Sequence, residues 1–175
     1  MKRRILISVF PKMRNITLII LHCSATPEGM DIGAAKIDEW HRARGFAQIG
    51  YHWVVRIDGT IEQGRPEELT GAHCKNHNLH SIGVCYIGGL RRAPKGDKKA
   101  FYPADTRTPQ QKQALEQLLK ELHQRYPTAL IVGHRDMSPD LNHDGRITPN
   151  EFIKACPCFD TILEYRHLQP VALKL

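Results

Sequence analysis

The 175-residue chain has no apolar run approaching the ~20 residues that span a bilayer, which excludes a helical membrane anchor. It also lacks internal repeats, low-complexity tracts and Pro/Gly/Ser-rich linkers. Solenoids and strings of modules are therefore excluded, and the length suits one domain with a full core. Aromatic residues are not interleaved with the basic ones and no DNA-binding motif is present, so the net charge of +7 does not point to nucleic acid. An acidic polymer is the more economical partner for that charge. The five cysteines are an odd number, which argues against a pure disulfide framework and for thiols or metal ligands. The start, Met1 to Phe10, mimics a signal peptide only briefly. Its apolar run is short and ends in Pro11-Lys12-Met13-Arg14 without a small-residue cleavage site. Residues 1–14 are read as a short first strand or an arm.

The apolar fraction, 41%, is that of an ordinary folded domain. Ile16 to Leu21 is a continuous β-branched and leucine run, the pattern of a strand buried on both faces. Ile32 to Arg44 reads as a helix with Ile37, Trp40 and Ala43 near one face, stopped by Gly45. Tyr51 to Ile57 is a strand turning through a two-residue Asp58-Gly59 hairpin into Thr60-Ile61-Glu62. Ser81 to Ile87 is another strand, ended by Gly88-Gly89, and Leu90 to Arg107 is a long basic loop. Its Arg91, Arg92, Lys95, Lys98 and Lys99 either hold an acidic polymer or are simply solvated. Thr108-Pro109-Gln110-Gln111 caps a helix whose stripe is Leu115, Leu118, Leu119 and Leu122. Ala129 to Val132 is a strand, Thr148-Pro149-Asn150-Glu151 opens a second capped helix, and a last helix covers Asp160 to Arg166. Strands alternating with helices give an α/β (α+β) single domain, a central mixed sheet flanked by helices.

Chemistry concentrates in three places. His22 and His134 each end an apolar run, where a strand delivers a side chain to the rim of a sheet. Lys154-Ala155-Cys156-Pro157-Cys158 places one or two thiolates and an ammonium on a turn, with Pro157 expected to stop a helix. Two histidines and one cysteine make a catalytic zinc set with the fourth position open, although their spacing matches no short zinc motif. Each residue also has a plainer reading, as a satisfied structural histidine or a solvated lysine. Cys23 and Cys85 read as small buried hydrophobes and Cys74 as a loop residue. His73, His77 and His80 are either a second metal site or an exposed loop along a groove.

Ordered motifs narrow these alternatives. Leu21-His22-Cys23-Ser24-Ala25-Thr26, Gly50-Tyr51-His52-Trp53, Asp58-Gly59-Thr60, Gly71-Ala72-His73, Asn78, Ser81-Ile82-Gly83-Val84-Cys85, Gly89, Gly133-His134-Arg135-Asp136 and Lys154-Ala155-Cys156-Pro157 follow one another along the chain. In that order they resemble the type 2 N-acetylmuramoyl-L-alanine amidases, the group that includes amidase-type phage lysozymes and peptidoglycan recognition proteins. The resemblance covers roughly residues 15 to 165, so residues 15–168 are taken as the domain. It implies zinc held by His22, His134 and Cys156, with Tyr51 and Lys154 as the catalytic pair. It also implies that His73 and Asn78 line the substrate groove. Cys158 falls where that branch carries a small non-ligand residue, and a swap with Cys156 is the main ligand alternative. One departure stands out: several branches carry a glutamate where this chain has Cys85. The implied activity is hydrolysis of the amide between N-acetylmuramic acid and L-alanine in peptidoglycan or muropeptides. The alternative is a non-catalytic peptidoglycan-binding protein on the same fold. A monomer is expected, cytoplasmic or released by lysis, and acting on cell wall either as a lysin or as a recycling enzyme.

Asp140 to Glu151 also reads against the EF-hand loop, with oxygen ligands at positions 1, 3 and 5, glycine at 6, an aliphatic at 8 and glutamate at 12. The candidate Ca²⁺ ligands are Asp140, Asn142, Asp144, Arg146 and Glu151. The competing reading is a capping box between Thr148 and Glu151, with no metal.

Overall fold

The computed structural model describes residues 14–170, so the expected arm at residues 1–14 lies outside the described residues except for Arg14. The elements are β1 (Leu18–Cys23), β2 (Thr26–Pro27), α1 (Ala34–Ala43), β3 (Trp53–Val55), β4 (Ile61–Gln63), β5 (Ser81–Tyr86), β6 (Gly89–Arg92), β7 (Phe101–Pro103), α2 (Pro109–Arg125), β8 (Leu130–Gly133) and α3 (Thr161–Glu164). A five-stranded sheet runs β4-β3-β5-β1-β8, and β2-β6-β7 form a separate small sheet. In the large sheet, β1 pairs in parallel with β5 and β8, β3 pairs in parallel with β5, and β4 closes the edge antiparallel. The mixed, helix-flanked sheet is the expected architecture.

Alternation along the strands assigns the two faces. Ile19 and Leu21 of β1, Ile82 and Val84 of β5 and Ile131 of β8 pack with Leu115, Leu118, Leu119 and Leu122 of α2. The opposite parity turns Val54 and Cys85 towards Ile37 of α1, and Ile20 and Val132 towards Cys74. His22 shares the parity of Ile20. Leu21 pairs with Gly133, so the next residue of each strand, His22 and His134, emerges side by side at the carboxyl edge. Ligands collect at that edge in open parallel sheets.

α2 starts as its sequence dictates. Thr108 Oγ1 accepts from Gln111 N, and the Gln111 side chain accepts from Thr108 N. Elsewhere the structure corrects local expectations. The Asp58-Gly59 turn is a three-residue loop, because Arg56 pairs with Thr60 and Gly59, at φ +88°, supplies the left-handed residue. The basic segment 90–107 is not a long loop, since β6 and β7 pair within it, Arg92 facing Phe101. The Thr148 cap opens only a single 3₁₀ turn, Pro149–Glu151. Lys154 and Cys156 therefore stand on an irregular segment, and Pro157 ends no helix. α3 is shorter than the 160–166 helix expected, with Asp160 as its cap. Cys74 lies in a loop, as read, with its side chain buried against Ile20 and Val132.

Candidate active site

A cavity of about 290 Å³ opens at the carboxyl edge of the sheet, and His22, Tyr51, His73, His134, Lys154 and Cys156 all line it. Among the described residues, one set of metal-capable side chains converges, His22, His134 and Cys156, with ligand atoms within 4.8 Å of one another. Cys156 Sγ lies 3.8 Å from His22 Nδ1. Tetrahedral zinc with bonds of ~2.3 Å to sulfur and ~2.0 Å to nitrogen would separate those atoms by about 3.5 Å, so the donors fit. Their charge state fits as well. Burial, then the neighbouring His73, His134 and Lys154, hold His22 well below its ordinary value. Burial and the Lys154 charge hold His134 at about 4. Both imidazoles are neutral near pH 7, the form that ligates.

The turn carrying Cys156 is fixed from several sides. Arg135 N donates to Cys156 O at 2.7 Å and Tyr86 Oη to Pro157 O at 2.8 Å. Gly133 leaves room for the proline: a Cβ there would meet Pro157 Cδ at 2.6 Å. Cys23 N donates to Cys156 Sγ at 3.2 Å, which fixes the sulfur at the end of β1. The cysteine facing His22 is thus Cys156. The Cys158 thiol instead approaches Gly89 O, at 3.5 Å.

His73 lines the cavity and also sits behind His22. His22 Nε2 is 3.0 Å from His73 Nδ1. With His22 Nδ1 turned to Cys156, Nε2 carries the proton and donates to His73. His73 Nε2 then faces Ser81 Oγ at 3.4 Å, and that hydroxyl donates to His77 O at 2.7 Å. Gly71 and Gly83 make space for the ring, since a Cβ at either would come within 2.6 Å of His73 Cδ2. Asn78 does not line the cavity. Its Oδ1 accepts from His73 N and Cys74 N, so it shapes the loop that presents His73. His73, His77 and His80 do not gather into a metal set, because His73 faces inward.

Tyr51 packs with the Ile37, Ile49 and Cys85 cluster, and its ring centroid is 5.1 Å from that of His22. Burial pushes its phenol well up, so it remains a donor. Cys85 is fully buried with its thiol also pushed well up by burial. It cannot replace a carboxylate base. Lys154 is an exposed side chain at the rim. The outer wall comes from α1 and the loop after it, Trp40, Arg44 and Phe46. Helical periodicity placed Trp40 on the core side; the missed signal was a large aromatic followed within a turn by a basic residue and a second aromatic.

The Asp140–Glu151 loop is bonded mainly within itself, with Asp140 Oδ1 left buried and without a hydrogen-bond partner. Glu151 Oε1 accepts from Leu141 N and Asn142 N, and Oε2 from Thr148 N and Thr148 Oγ1. Asp140 accepts from Gly145 N, Asn142 from Asp144 N, and Asp144 from Arg146 N. The carboxylates of Asp140, Asp144 and Glu151 do not converge as a metal set, and Glu151 serves the capping box. The structure thus favours the cap over a Ca²⁺ cage of Asp140, Asn142, Asp144, Arg146 and Glu151.

Residues 12–151 match the family described as N-acetylmuramoyl-L-alanine amidase. The chain belongs to that family. It is 39% identical over 151 residues to the endolysin of Enterobacteria phage K11, covering 86% of each. With the endolysin of Escherichia phage T7 it shares 36% identity over 151 residues and the same 86% coverage. Among solved structures, the N-acetylmuramoyl-L-alanine amidase LysC from Clostridium intestinale URNW superposes with a TM-score of 0.62 at 26% identity, covering 87% of this chain and 83% of LysC. Drosophila PGRP-LB shares the fold, with a TM-score of 0.60 at 21% identity over 86% of this chain and 79% of that one. The family match ends at Glu151, so Lys154 and Cys156 enter the site on geometry.

Proposed function

We propose that this protein is a zinc-dependent peptidoglycan amidase that cleaves the bond between the lactyl group of N-acetylmuramic acid and L-alanine. The observation that carries this reading is the convergence of two neutral imidazoles and one thiol on the floor of a cavity rimmed by an ammonium and a phenol. His22, His134 and Cys156 would hold the zinc ion, which would supply Lewis acidity and lower the pKa of a water to near neutral. Lys154 brings positive charge to where the amide oxygen becomes an oxyanion. Tyr51, kept protonated by burial, donates to the same oxygen or orients the attacking water. With Cys85 in the glutamate position, proton handling falls to Tyr51 and Lys154. Trp40 and Phe46 offer apolar surface to the sugar or stem peptide, and Arg44 offers a cation to its carboxylates.

A non-catalytic peptidoglycan receptor on this fold is disfavoured by the complete donor set. The endolysin relatives support wall degradation after release by lysis as the setting. Mass spectrometry of products from defined muropeptides, run with metal analysis, tests the reading. Release of the intact stem peptide is expected, lost on chelation and restored by zinc. Uncleaved muropeptide in the zinc-loaded protein would overturn the activity, and cleavage that survives complete chelation would overturn the zinc.

A further inference from the structure

Three of the five free cysteines meet where β1 ends: Cys23, Cys156 and Cys158. Cys156 faces His22 and the cavity. Cys23 Sγ and Cys158 Sγ face each other, 3.9 Å apart, in van der Waals contact. Gly89 shapes this contact from both sides. A Cβ there would come within 2.5 Å of Cys23 Sγ, and its carbonyl receives the Cys158 thiol at 3.5 Å. Cys158 adopts φ +74°, a left-handed conformation costly for a residue with a Cβ, and its N–H donates to Ala155 O at 2.7 Å. Cys158 is partly exposed while Cys23 is buried, so an oxidant meets Cys158 first.

We propose that Cys23 and Cys158 form an oxidisable dithiol that closes to a disulfide and ties the two strands of chain bearing His22 and Cys156 together. This assignment is independent of the amidase reading, because it rests on two thiols that hold no metal. The oxidant class is a hydroperoxide. The Cys158 sulfur attacks the O–O bond of hydrogen peroxide, giving Cys158 sulfenic acid and one water. The Cys23 sulfur then attacks the Cys158 sulfur; an S–S bond forms, the S–O bond breaks, and the hydroxyl leaves with the Cys23 proton as a second water. In sum, two thiols lose two hydrogens and one peroxide becomes two waters. The sulfurs must approach by roughly 1.9 Å to reach bonding distance. The link joins the residue after ligand His22 to the residue two beyond ligand Cys156, at the edge of the cavity that Cys23 lines.

The test uses the full chain, zinc-supplemented so that Cys156 is engaged, treated with limited hydrogen peroxide, then alkylated and mapped by peptide mass spectrometry. A cross-linked pair containing Cys23 and Cys158 is expected, reversed by dithiothreitol, with the other three cysteines alkylated. The oxidised protein should melt at a higher temperature than the reduced one, and Cys158→Ser should abolish both the cross-link and the shift while leaving the fold intact. A cross-link from Cys23 to Cys156, Cys158 overoxidised with Cys23 still alkylated, or all five thiols recovered free would each overturn the pairing. A cross-linked protein that melts no higher than the reduced form would overturn the tie. Should Cys158→Ser not fold, Cys158→Ala serves the same comparison, and the map of the unaltered chain decides the pairing by itself.

Discussion

His22 Nε2 lies 3.0 Å from His73 Nδ1, so the imidazole that faces Cys156 is held from behind by a second imidazole. Ring nitrogens opposite a metal are commonly fixed by such a partner, which sets tautomer and orientation; losing it typically costs about 10–100-fold in affinity. His73→Leu is therefore expected to weaken zinc binding by about that factor, measured by competition with a chromophoric chelator. His73→Asn, whose amide oxygen can stand where Nδ1 stood, should recover most of it. If the leucine variant binds zinc as tightly as the unaltered protein, His73 has no positioning role.

Lys154 separates metal binding from turnover. It lines the cavity but is not part of the converging donor set. Lys154→Ala should keep stoichiometric zinc and lose about 10²–10³ in turnover, the usual cost of removing one oxyanion donor. Lys154→Arg keeps the charge with a different reach and should fall between. Full hydrolysis by the alanine variant on purified peptidoglycan would remove Lys154 from the mechanism.

The sheet and the α2 cap were legible because each follows from local pattern, whereas the donor set was named only through the resemblance of the ordered motifs. Apolar runs give the buried strands, Thr108 to Gln111 gives the cap, and strand parity places His22 with Ile20. The inward role of His73 was not legible, because it depends on Gly71 in a loop and Gly83 in β5 vacating one volume. The β6–β7 hairpin hid in a segment whose charged residues suggested only a loop. The helix expected to carry Lys154 failed because a cap fixes a first turn but does not extend it. Arg135, bonded to Cys156 O, draws the following chain into a turn instead.

Arg107 is a residue that composition alone conceals. Its side chain is fully buried yet forms forked bonds to Asp105 and Glu164, with the guanidinium carbon 3.3 Å from the Phe159 ring centroid. This pins α3, which follows the Cys156 turn, against the chain entering α2. Removing one partner of a buried pair costs about 3–5 kcal/mol. Both carboxylates are partly exposed, so Arg107→Ala should lie near the lower end, about 3 kcal/mol by urea denaturation. Arg107→Lys cannot make both forks and should restore only part. A loss below ~0.5 kcal/mol would show that the cluster adds nothing to stability.

Acidification should destabilise the metal-free protein through two histidines outside the donor set. His52 Nδ1 accepts from Gly83 N at 2.9 Å and His41 Nδ1 from Gly50 N at 2.8 Å. Each other nitrogen therefore carries the proton, and a second proton would break the bond. Burial holds both at about 4, and the Arg14 guanidinium adds to the effect at His52. The folded values lie below the unfolded ~6.5, so the unfolded chain binds more protons between them. The stabilisation is complete above about pH 6.5 and is lost progressively as pH falls through about 4, with roughly 2–3 kcal/mol from His52. Denaturation at a series of pH values checks this, and His52→Asn, which keeps an acceptor for Gly83 but cannot titrate, should flatten the slope. An unchanged slope would assign the acid sensitivity elsewhere.

Glu151 decides the fate of the EF-hand-like segment. All the acceptor capacity seen at its carboxylate goes to Leu141, Asn142 and Thr148, and these bonds pull it below its ordinary value. A Ca²⁺ ion would have to strip at least two of them to gain a bidentate ligand, and the remaining carboxylates are not gathered to compensate. Millimolar Ca²⁺ is therefore expected to leave the melting temperature unchanged, whereas zinc raises it. Glu151→Ala removes the cap and should lower the melting temperature. Because the capped turn leads directly into Lys154 and Cys156, the same variant should also bind zinc more weakly. A calcium-dependent rise in melting temperature that Glu151→Ala abolishes would reinstate the ion and demote the cap.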